Sequence, residues 1–340
     1  KFIIEPGIRL ITFSSHSNGI YPDLRLSSKY IIDENRFINF AVGNYHQFIS
    51  TFQDDFSAQI LDSWFAVDEK GEPARATQAV LGYEQFIGRS LKVQIEGYYK
   101  YITNMLTYEE SRATTDGNVN SESLLDLLTP ADGYAYGAEL FIQKSSGKLS
   151  GWAGYSWSVS RKLMNGKEYF TNWDRSHVLN FLANYQVSSK WEYNIKFTLQ
   201  SGQAFTPING YFLQNLPGEP QQDYVEIPAT RNGGRYPSYH RLDLGAVRHF
   251  NVKGRKFDLF MQVINAYNRK NVFTYTYPVG NTNNGIDDDG DWDQKKHDKN
   301  GNNRADKGEP NVDEEDEARI QRKPVSLFPL IPTIGITWNF

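Results

Sequence analysis

The chain contains no cysteine in 340 residues, which excludes a disulfide framework, a thiolate metal site and a thiol nucleophile. It has no run of 18 or more apolar residues, about the length a membrane-crossing helix needs. Methionine is scarce at three and histidine at six. No glycine-rich phosphate loop and no basic patch suited to nucleic acid occurs, so neither a nucleotide-binding nor a nucleic-acid-binding reading has a foothold. A helical period is not sustained anywhere, save briefly over 121–128. The opening Lys1-Phe2-Ile3-Ile4-Glu5-Pro6 is strand-like, without a charged region followed by an apolar stretch, so any export signal is expected to lie outside the chain or to have been removed.

What the chain has instead is alternation. In its last residues Ile334, Ile336, Trp338 and Phe340 alternate with Thr333, Gly335, Thr337 and Asn339. A period of two puts the large apolar side chains on one face of a strand and the small polar ones on the other. Taken alone, such a strand also fits the edge of a soluble sandwich. The pattern recurs, however, from Lys190 to Gln200, where Trp191, Tyr193, Ile195, Phe197 and Leu199 interleave with polar residues, and again from Leu91 to Tyr101. Mean hydropathy of -0.59 looks soluble, but a spanning barrel alternates lipid-facing and lumen-facing residues and averages out as polar. Aromatic content of 14%, with 21 Tyr and 21 Phe, fits the girdles such barrels place at both interfaces.

Turn signals divide the chain into about twelve strands, over 1–13, 22–33, 36–49, 76–87, 89–107, 133–145, 148–162, 176–188, 190–201, 238–251, 255–267 and 330–340. Two kinds of connection take turns. Asp33-Glu34-Asn35, Ile87-Gly88, Ser145-Ser146-Gly147, Ser188-Ser189 and Asn251-Val252-Lys253-Gly254 are tight turns. Long polar connections lie near 50–75, 108–132, 163–175, 202–237 and 268–329. Short turns at one end and long loops at the other are the asymmetry of an outer-membrane barrel, with turns periplasmic and loops extracellular. The fold class expected is all-β: an antiparallel transmembrane β-barrel with about 12 strands present over 1–340, and an acidic loop insertion over 281–320.

Several phrases carry a family resemblance. Asp174-Arg175-Ser176-His177 is similar to the Asp-Arg-x-His strand entry of TonB-dependent outer-membrane transporters, and Ser201-Gly202-Gln203-Ala204-Phe205-Thr206-Pro207 to their Ser-Gly-x-x-aromatic-Thr-Pro strand exit. Asn265-Ala266-Tyr267-Asn268-Arg269-Lys270-Asn271 resembles a segment near the family's C-terminus, and Tyr45-His46-Gln47-Phe48 a motif at the top of a mid-barrel strand. The terminal Phe340 resembles the aromatic by which the assembly machinery recognises outer-membrane barrels. The resemblance implies a plug domain, an N-terminal energy-coupling box and a 22-stranded barrel, and the chain shows neither box nor plug. It is therefore expected to be the C-terminal part of such a barrel, from the bacterial outer membrane. The partners it implies are then the missing plug and barrel half on the same or a separate chain, the TonB complex acting through that missing region, outer-membrane lipid, and a surface lipoprotein as a further candidate.

Of the 40 acidic residues, thirteen fall between Ile286 and Arg319 against six of the 36 bases, leaving 27 acids and 30 bases elsewhere. The acidity therefore belongs to one segment. Starting at Asp298, side-chain oxygens fall at positions 1, 3, 5, 9 and 12 of a twelve-residue frame: Asp298, Asn300, Asn302, Asp306 and Glu309. This is calcium-loop spacing, with Asn303 where glycine is usual. Asp287, Asp289, Asp291 and Asp293 alternate upstream and offer a second set, so calcium is the expected cofactor. A solvated acidic loop is the plainer reading of the same residues.

No enzyme is expected. Asp174, Ser176 and His177 suggest a triad, but neighbouring strand positions face opposite ways. The resemblance implies import of a scarce nutrient: an iron chelate, cobalamin, a glycan or a peptide. Candidate ligand contacts are the loop residues Trp64, Tyr169, Trp173, Tyr211, Tyr224, Arg231 and Arg235. The alternative is a self-contained twelve-stranded barrel acting as a calcium-dependent phospholipase, or as an adhesin or receptor.

Overall fold

The computed structural model describes residues 1–14, 16–52, 63–67, 71–108, 128–214, 223–252, 255–277, 292–306, 309–310 and 322–339. The strands, in chain order, are β1 (Phe2–Phe13), β2 (His16–Ile31), β3 (Arg36–Gln47), β4 (Ile49–Phe52), β5 (Ser63–Ala66), β6 (Ala74–Ile87) and β7 (Leu91–Tyr108). There follow β8 (Leu128–Lys144), β9 (Leu149–Met164), β10 (Lys167–Phe170), β11 (His177–Gln186), β12 (Trp191–Gln200), β13 (Ala204–Phe205) and β14 (Ile208–Gln214). The last are β15 (Asp223–Pro228), β16 (Gly234–Arg235), β17 (Tyr239–Val252), β18 (Arg255–Ile264), β19 (Asn271–Thr276), β20 (Lys323–Leu327) and β21 (Ile331–Asn339). The only helix among the described residues is one turn over Gln294–His297.

Twelve of these strands form one antiparallel sheet in the order β1-β2-β3-β6-β7-β8-β9-β11-β12-β17-β18-β21, with β10 added beside β9. They are the twelve strands that alternation predicts. Two starts differ most: β2 begins at His16, which pairs with Phe13, rather than near residue 22, and β8 begins at Leu128 rather than near residue 133. The polar Ser17-Asn18-Gly19 segment reads as loop; it lies within β2 at an irregularity, where the register with β1 passes from the Ile11–Tyr21 pair to the Phe13–His16 pair. The helical stretch expected over 121–128 lies outside the described residues, except Leu128, which opens β8.

Directly opposed residues share a face of a sheet, so the registers sort the side chains. One face carries Ile8 and Leu24; Phe40 and Leu81; Ile95, Leu140 and Tyr155; Leu179, Leu199, Leu242 and Ile334. The other carries Lys29 and Asn39, Glu84, Lys92 and Glu96, Glu139 and Ser156, Lys196 and Asp243, and Asp258 and Thr337. The apolar face is bare. Ile8 is 66% exposed, Leu10 65% and Ile334 72%. In water each such side chain forgoes about 1.5–3 kcal/mol of burial, so this face calls for an apolar medium.

A conventional core is confined to one end. The buried apolar residues among those described are Phe48, Val67, Leu128, Ala131, Met164 and Ala204, at the long-loop end of the sheet-bearing unit, and Ile208 on β14. Phe13 and Tyr21 each hold ring contacts of 5.0 Å to Phe48 there. At the other end the turns are tight. Gly88 closes one with φ +62°, a left-handed conformation that glycine adopts without penalty.

The chain divides into two compact units. The first, Lys1–Phe205 with Arg231–Asn271 and Phe328–Phe340, contains the sheet. The second, Thr206–Thr230 with Val272–Leu327, contains the β14-β15 and β19-β20 ladders and the described acidic loop. No described helix is long and apolar enough to cross a membrane, which says nothing about crossing by strands.

Candidate functional site

At the long-loop end three buried carboxylates lock the strand tops. Asp174 is 2% exposed. Its carboxylate accepts the backbone N–H of Ser160 at 2.8 Å and the Arg161 guanidinium at 3.3 Å, and pairs with Arg235. Arg235 also donates to the carbonyls of Asp174 at 3.1 Å and Gly202 at 3.0 Å. The Phe170 ring lies under both guanidiniums, 3.9 Å from Arg161 and 4.6 Å from Arg235. Gly202 is required for the close approach: a Cβ there would sit 1.6 Å from the Tyr236 carbonyl oxygen. The Asp-Arg-x-His and Ser-Gly-x-x-aromatic phrases are thus parts of one packed junction.

The second lock is built on Asp243, which accepts the Asn265 backbone N–H at 3.0 Å and the Arg241 guanidinium at 2.9 Å. Asn265 is fully buried with φ 56°. Its side chain donates to the carbonyls of Arg269 at 3.0 Å and Phe328 at 2.9 Å and accepts from the Arg269 N–H at 2.9 Å. Asn271 exchanges two hydrogen bonds with the His240 backbone, at 3.1 and 3.0 Å. The third pairs Asp23 with His46, backbone N–H at 3.0 Å and ring Nδ1 at 2.8 Å. Each lock satisfies backbone groups where a regular ladder gives way to a loop, the condition for burying them at all.

A cavity of about 610 Å³ opens beside the third lock. Tyr45, Gln78, Lys100, Ile102, Met105 and Trp173 are among its lining residues. Tyr45, Gln78, Lys100 and Ile102 share the parity of the polar face. Among the described residues Lys100 and Gln78 have no hydrogen-bond or ion-pair partner, so their polar ends are available. Trp173 is 54% exposed at its rim.

No protein-family model matches the sequence, and no curated protein is significantly similar to it. Solved structures do match. The ferripyoverdine receptor of the Pseudomonas aeruginosa outer membrane bound to ferripyoverdine is 12% identical with a TM-score of 0.52, over 76% of this chain and 30% of that one. A mutant ferric enterobactin receptor of Pseudomonas aeruginosa is 11% identical with a TM-score of 0.51, over 79% of this chain and 38% of that one. The ferric-catecholate import receptor Fiu of E. coli, in a closed form, is 13% identical with a TM-score of 0.52, over 75% of this chain and 32% of that one. The fold is that of a TonB-dependent outer-membrane receptor barrel. The chain spans about a third of the length of these receptors.

Within this fold the candidate ligand residues fall into different settings. Trp64 is 68% exposed on the β4-β5 hairpin, opposite Thr51. Tyr169 pairs with Lys162 on the β9-β10 extension, and its ring lies 6.0 Å from the Arg231 guanidinium. Arg231 also reaches Met164 Sδ at 3.8 Å. Arg235 is engaged by Asp174. Tyr211 and Tyr224 belong to the β14-β15 ladder of the second unit, and their side chains lie outside the described part. Sequence reasoning missed Lys100 and Gln78; lying mid-strand on the polar face, they look like ordinary lumen residues. The triad suggestion fails on geometry, because Asp174 is held by two arginines while His177 Nδ1 faces the Tyr155 hydroxyl at 2.8 Å.

In the acidic loop, Asp287, Asp289 and Asp291 lie outside the described residues. Asp293 caps the helical turn by accepting the Lys295 N–H. Asp298 accepts the N–H groups of Gly301 at 2.6 Å and Asn303 at 2.9 Å, and Asn303 adopts the left-handed conformation at φ 61°. Asp306 accepts the side-chain amides of Asn300, at 2.7 Å, and Asn302, which hold its carboxyl below the usual carboxylate range. Glu309 accepts the Lys299 N–H at 2.9 Å and the Trp292 indole N–H at 3.2 Å. Among the described residues no three acidic or histidine side chains converge into a metal-holding group.

Proposed function

We propose that this chain forms part of the barrel wall of a TonB-dependent transporter in a bacterial outer membrane, importing a scarce nutrient such as an iron chelate, cobalamin, a glycan or a peptide. The observation that carries this reading is an open twelve-strand sheet with one exposed apolar face and with β1 and β21 at its two edges. A bilayer tolerates no unpaired strand edge, since each unsatisfied N–H or C=O in hydrocarbon costs several kcal/mol. The edges therefore need about ten further strands to complete a barrel of the receptor type, supplied with the plug by the rest of the receptor on the same or a separate chain. TonB acts through that remainder, the apolar face meets outer-membrane lipid, and a surface lipoprotein over the loops is compatible with this arrangement. The same open edges speak against a self-contained twelve-stranded phospholipase or adhesin.

The ligand is met by the cavity at the long-loop end and by loop aromatics, with Trp173 the candidate best supported by position. Trp64, Tyr169, Tyr211, Tyr224 and Arg231 are further candidates on the loops, whereas Arg235 serves the Asp174 lock. Calcium at Asp298, Asn300, Asn302, Asp306 and Glu309, and at the upstream Asp287, Asp289, Asp291 and Asp293, would cross-link the acidic loop to itself.

Intact mass and heat-modifiable mobility of the protein from outer membranes test the whole reading. A species well above 39.0 kDa, or a tightly held second chain, is expected; a folded 39.0 kDa barrel alone overturns it. Trp173→Ala and Lys100→Ala are expected to weaken uptake of the transported nutrient while leaving the unfolding temperature unchanged.

A further inference from the structure

Near the short-turn end of the apolar face the registers gather an aromatic collar around one cation. Trp191 stacks on Tyr193 with ring centroids 5.9 Å apart, Phe250 stacks on Phe257 at 4.8 Å, and Phe257 tilts toward Trp338 at 6.4 Å. The Arg248 guanidinium lies between the two stacks, 5.3 Å from the Trp191 ring and 4.8 Å from the Phe250 ring. Arg248 opposes Trp191 on one side and Leu259 on the other, which puts it on the apolar face. Arg255, opposite Val252 at the end of the same hairpin, has the same parity.

No carboxylate shares this patch among the described residues. Glu192 opposes Val247, and Asp258 pairs with His249 at 2.7 Å, both on the polar face. Neither Arg248 nor Arg255 has a hydrogen-bond or ion-pair partner among the described residues. Leu244, Met261, Ile334 and Ile336 run up the same face toward the middle of the sheet. A guanidinium gripped by two aromatic rings is oriented by cation–π contact yet keeps its fork of donors unused. Phosphate oxygens match that fork in geometry and charge. Beside an apolar strip, the phosphate that fits best is one attached to acyl chains.

We propose that Arg248, assisted by Arg255, binds the phosphate of a phospholipid headgroup at the short-turn rim, its acyl chains lying along the Leu244–Ile336 strip. The site rests on the reading that the apolar face meets lipid. The test is native mass spectrometry of the complete barrel, incubated with phosphatidylglycerol, with diacylglycerol, or with inorganic phosphate as competitor. Retention of phosphatidylglycerol over diacylglycerol is expected, with a roughly tenfold loss in Arg248→Gln, a smaller loss in Arg248→Lys and no displacement by inorganic phosphate. Unchanged heat-modifiable mobility certifies that each variant is folded. Equal retention of both lipids, or equal retention by Arg248→Gln, overturns the proposal, and displacement by inorganic phosphate reduces it to a free-anion site and overturns it too. Quenching of tryptophan fluorescence by brominated acyl chains, diminished in Trp338→Phe, checks the underlying reading separately. Quenching without headgroup preference sinks the phosphate site alone, whereas absence of quenching sinks the lipid-facing assignment beneath it.

Discussion

The two ends of the sheet are held together by different physics. At the short-turn end the strands are joined by tight turns, the polar groups are exposed, and the side chains that pack are aromatic rings on the outside of the wall. At the long-loop end lie the buried carboxylates and amides described in the sheet-bearing unit, Asp23, Asp174, Asn232, Asp243, Asn265 and Asn271. On the proposed membrane reading, the difference follows from the solvent each end meets. Strands crossing a bilayer pair with each other and bury their apolar face in lipid, so they need no core of their own. Loops that stand in water have no such medium. They must satisfy their backbone groups internally where the ladder ends, and the locks do this with side chains that accept or donate two to four hydrogen bonds each.

The sharpest way to break that contrast is to remove one lock. Asp174→Ala leaves Arg161 and Arg235 facing each other over Phe170 and the Ser160 N–H unpaired. Loss of one partner from a buried ion pair costs about 3–5 kcal/mol, here toward the low end because Arg235 is partly exposed. A fall in the unfolding temperature of the whole barrel, or proteolysis in the loops at 163–175 and 202–237, checks it; wild-type behaviour would mean the lock is ornamental. Asn265→Ala comes next. It deletes three side-chain hydrogen bonds and places alanine at φ 56°, for about 2–3 kcal/mol. Asn265→Gly removes the same bonds but relieves the backbone, so the gap between the two variants measures the strain alone.

Much of the wall was legible in the sequence because a period of two leaves its mark on every strand, from Leu91 to Tyr101 as plainly as from Lys190 to Gln200. The locks were half legible. Asp174, His177, Ser201, Asn265 and Asn271 were recognised as motif residues, but their spacing says nothing of what they touch, since Asp174 meets Arg235 across 61 positions. Arg235 reads in the sequence as a candidate ligand contact, and the structure pairs its charge with Asp174. Lys100 and Gln78 were missed for the opposite reason: inside a regular strand, a free polar side chain looks like any other lumen residue. The start of β2 is hidden because Ser17-Asn18-Gly19 has turn composition, although the strand runs through it to the Phe13–His16 pair.

A third region sharpens the contrast, since the described part of the acidic loop is held by a buried carboxylate of its own, Glu309. Glu309→Ala frees the N–H groups of Lys299 and Trp292. The expected cost is about 1–2 kcal/mol of local loop opening, seen as faster hydrogen exchange over 292–306 with no change in the barrel's unfolding temperature. Terbium luminescence sensitised by Trp292 tests the calcium reading of the same loop. Emission in the wild type that disappears in Asp298→Ala supports it, and no emission in either removes calcium from the account.

The smallest effect belongs to the turn between β2 and β3. There the Arg36 side chain hydrogen-bonds to Asp33, and the Asn35 N–H adds a second bond, together holding the Asp33 carboxyl below its ordinary value. A carboxyl with a depressed folded-state pKa contributes stability that is present above its unfolded pKa and lost as pH falls through the folded value. The whole contribution of Asp33 therefore disappears in the acid range below about pH 4 and is constant at neutral pH. The pair is open to solvent, its side chains 49% and 41% exposed, so water and salt screen it. Asp33→Asn is expected to leave the unfolding temperature unchanged at neutral pH, and the depressed titration itself is to be read from the side-chain carbon chemical shift. A clear drop in stability on Asp33→Asn would mean that the short-turn end, like the loop end, depends on its polar contacts, and the distinction between the two ends would fail.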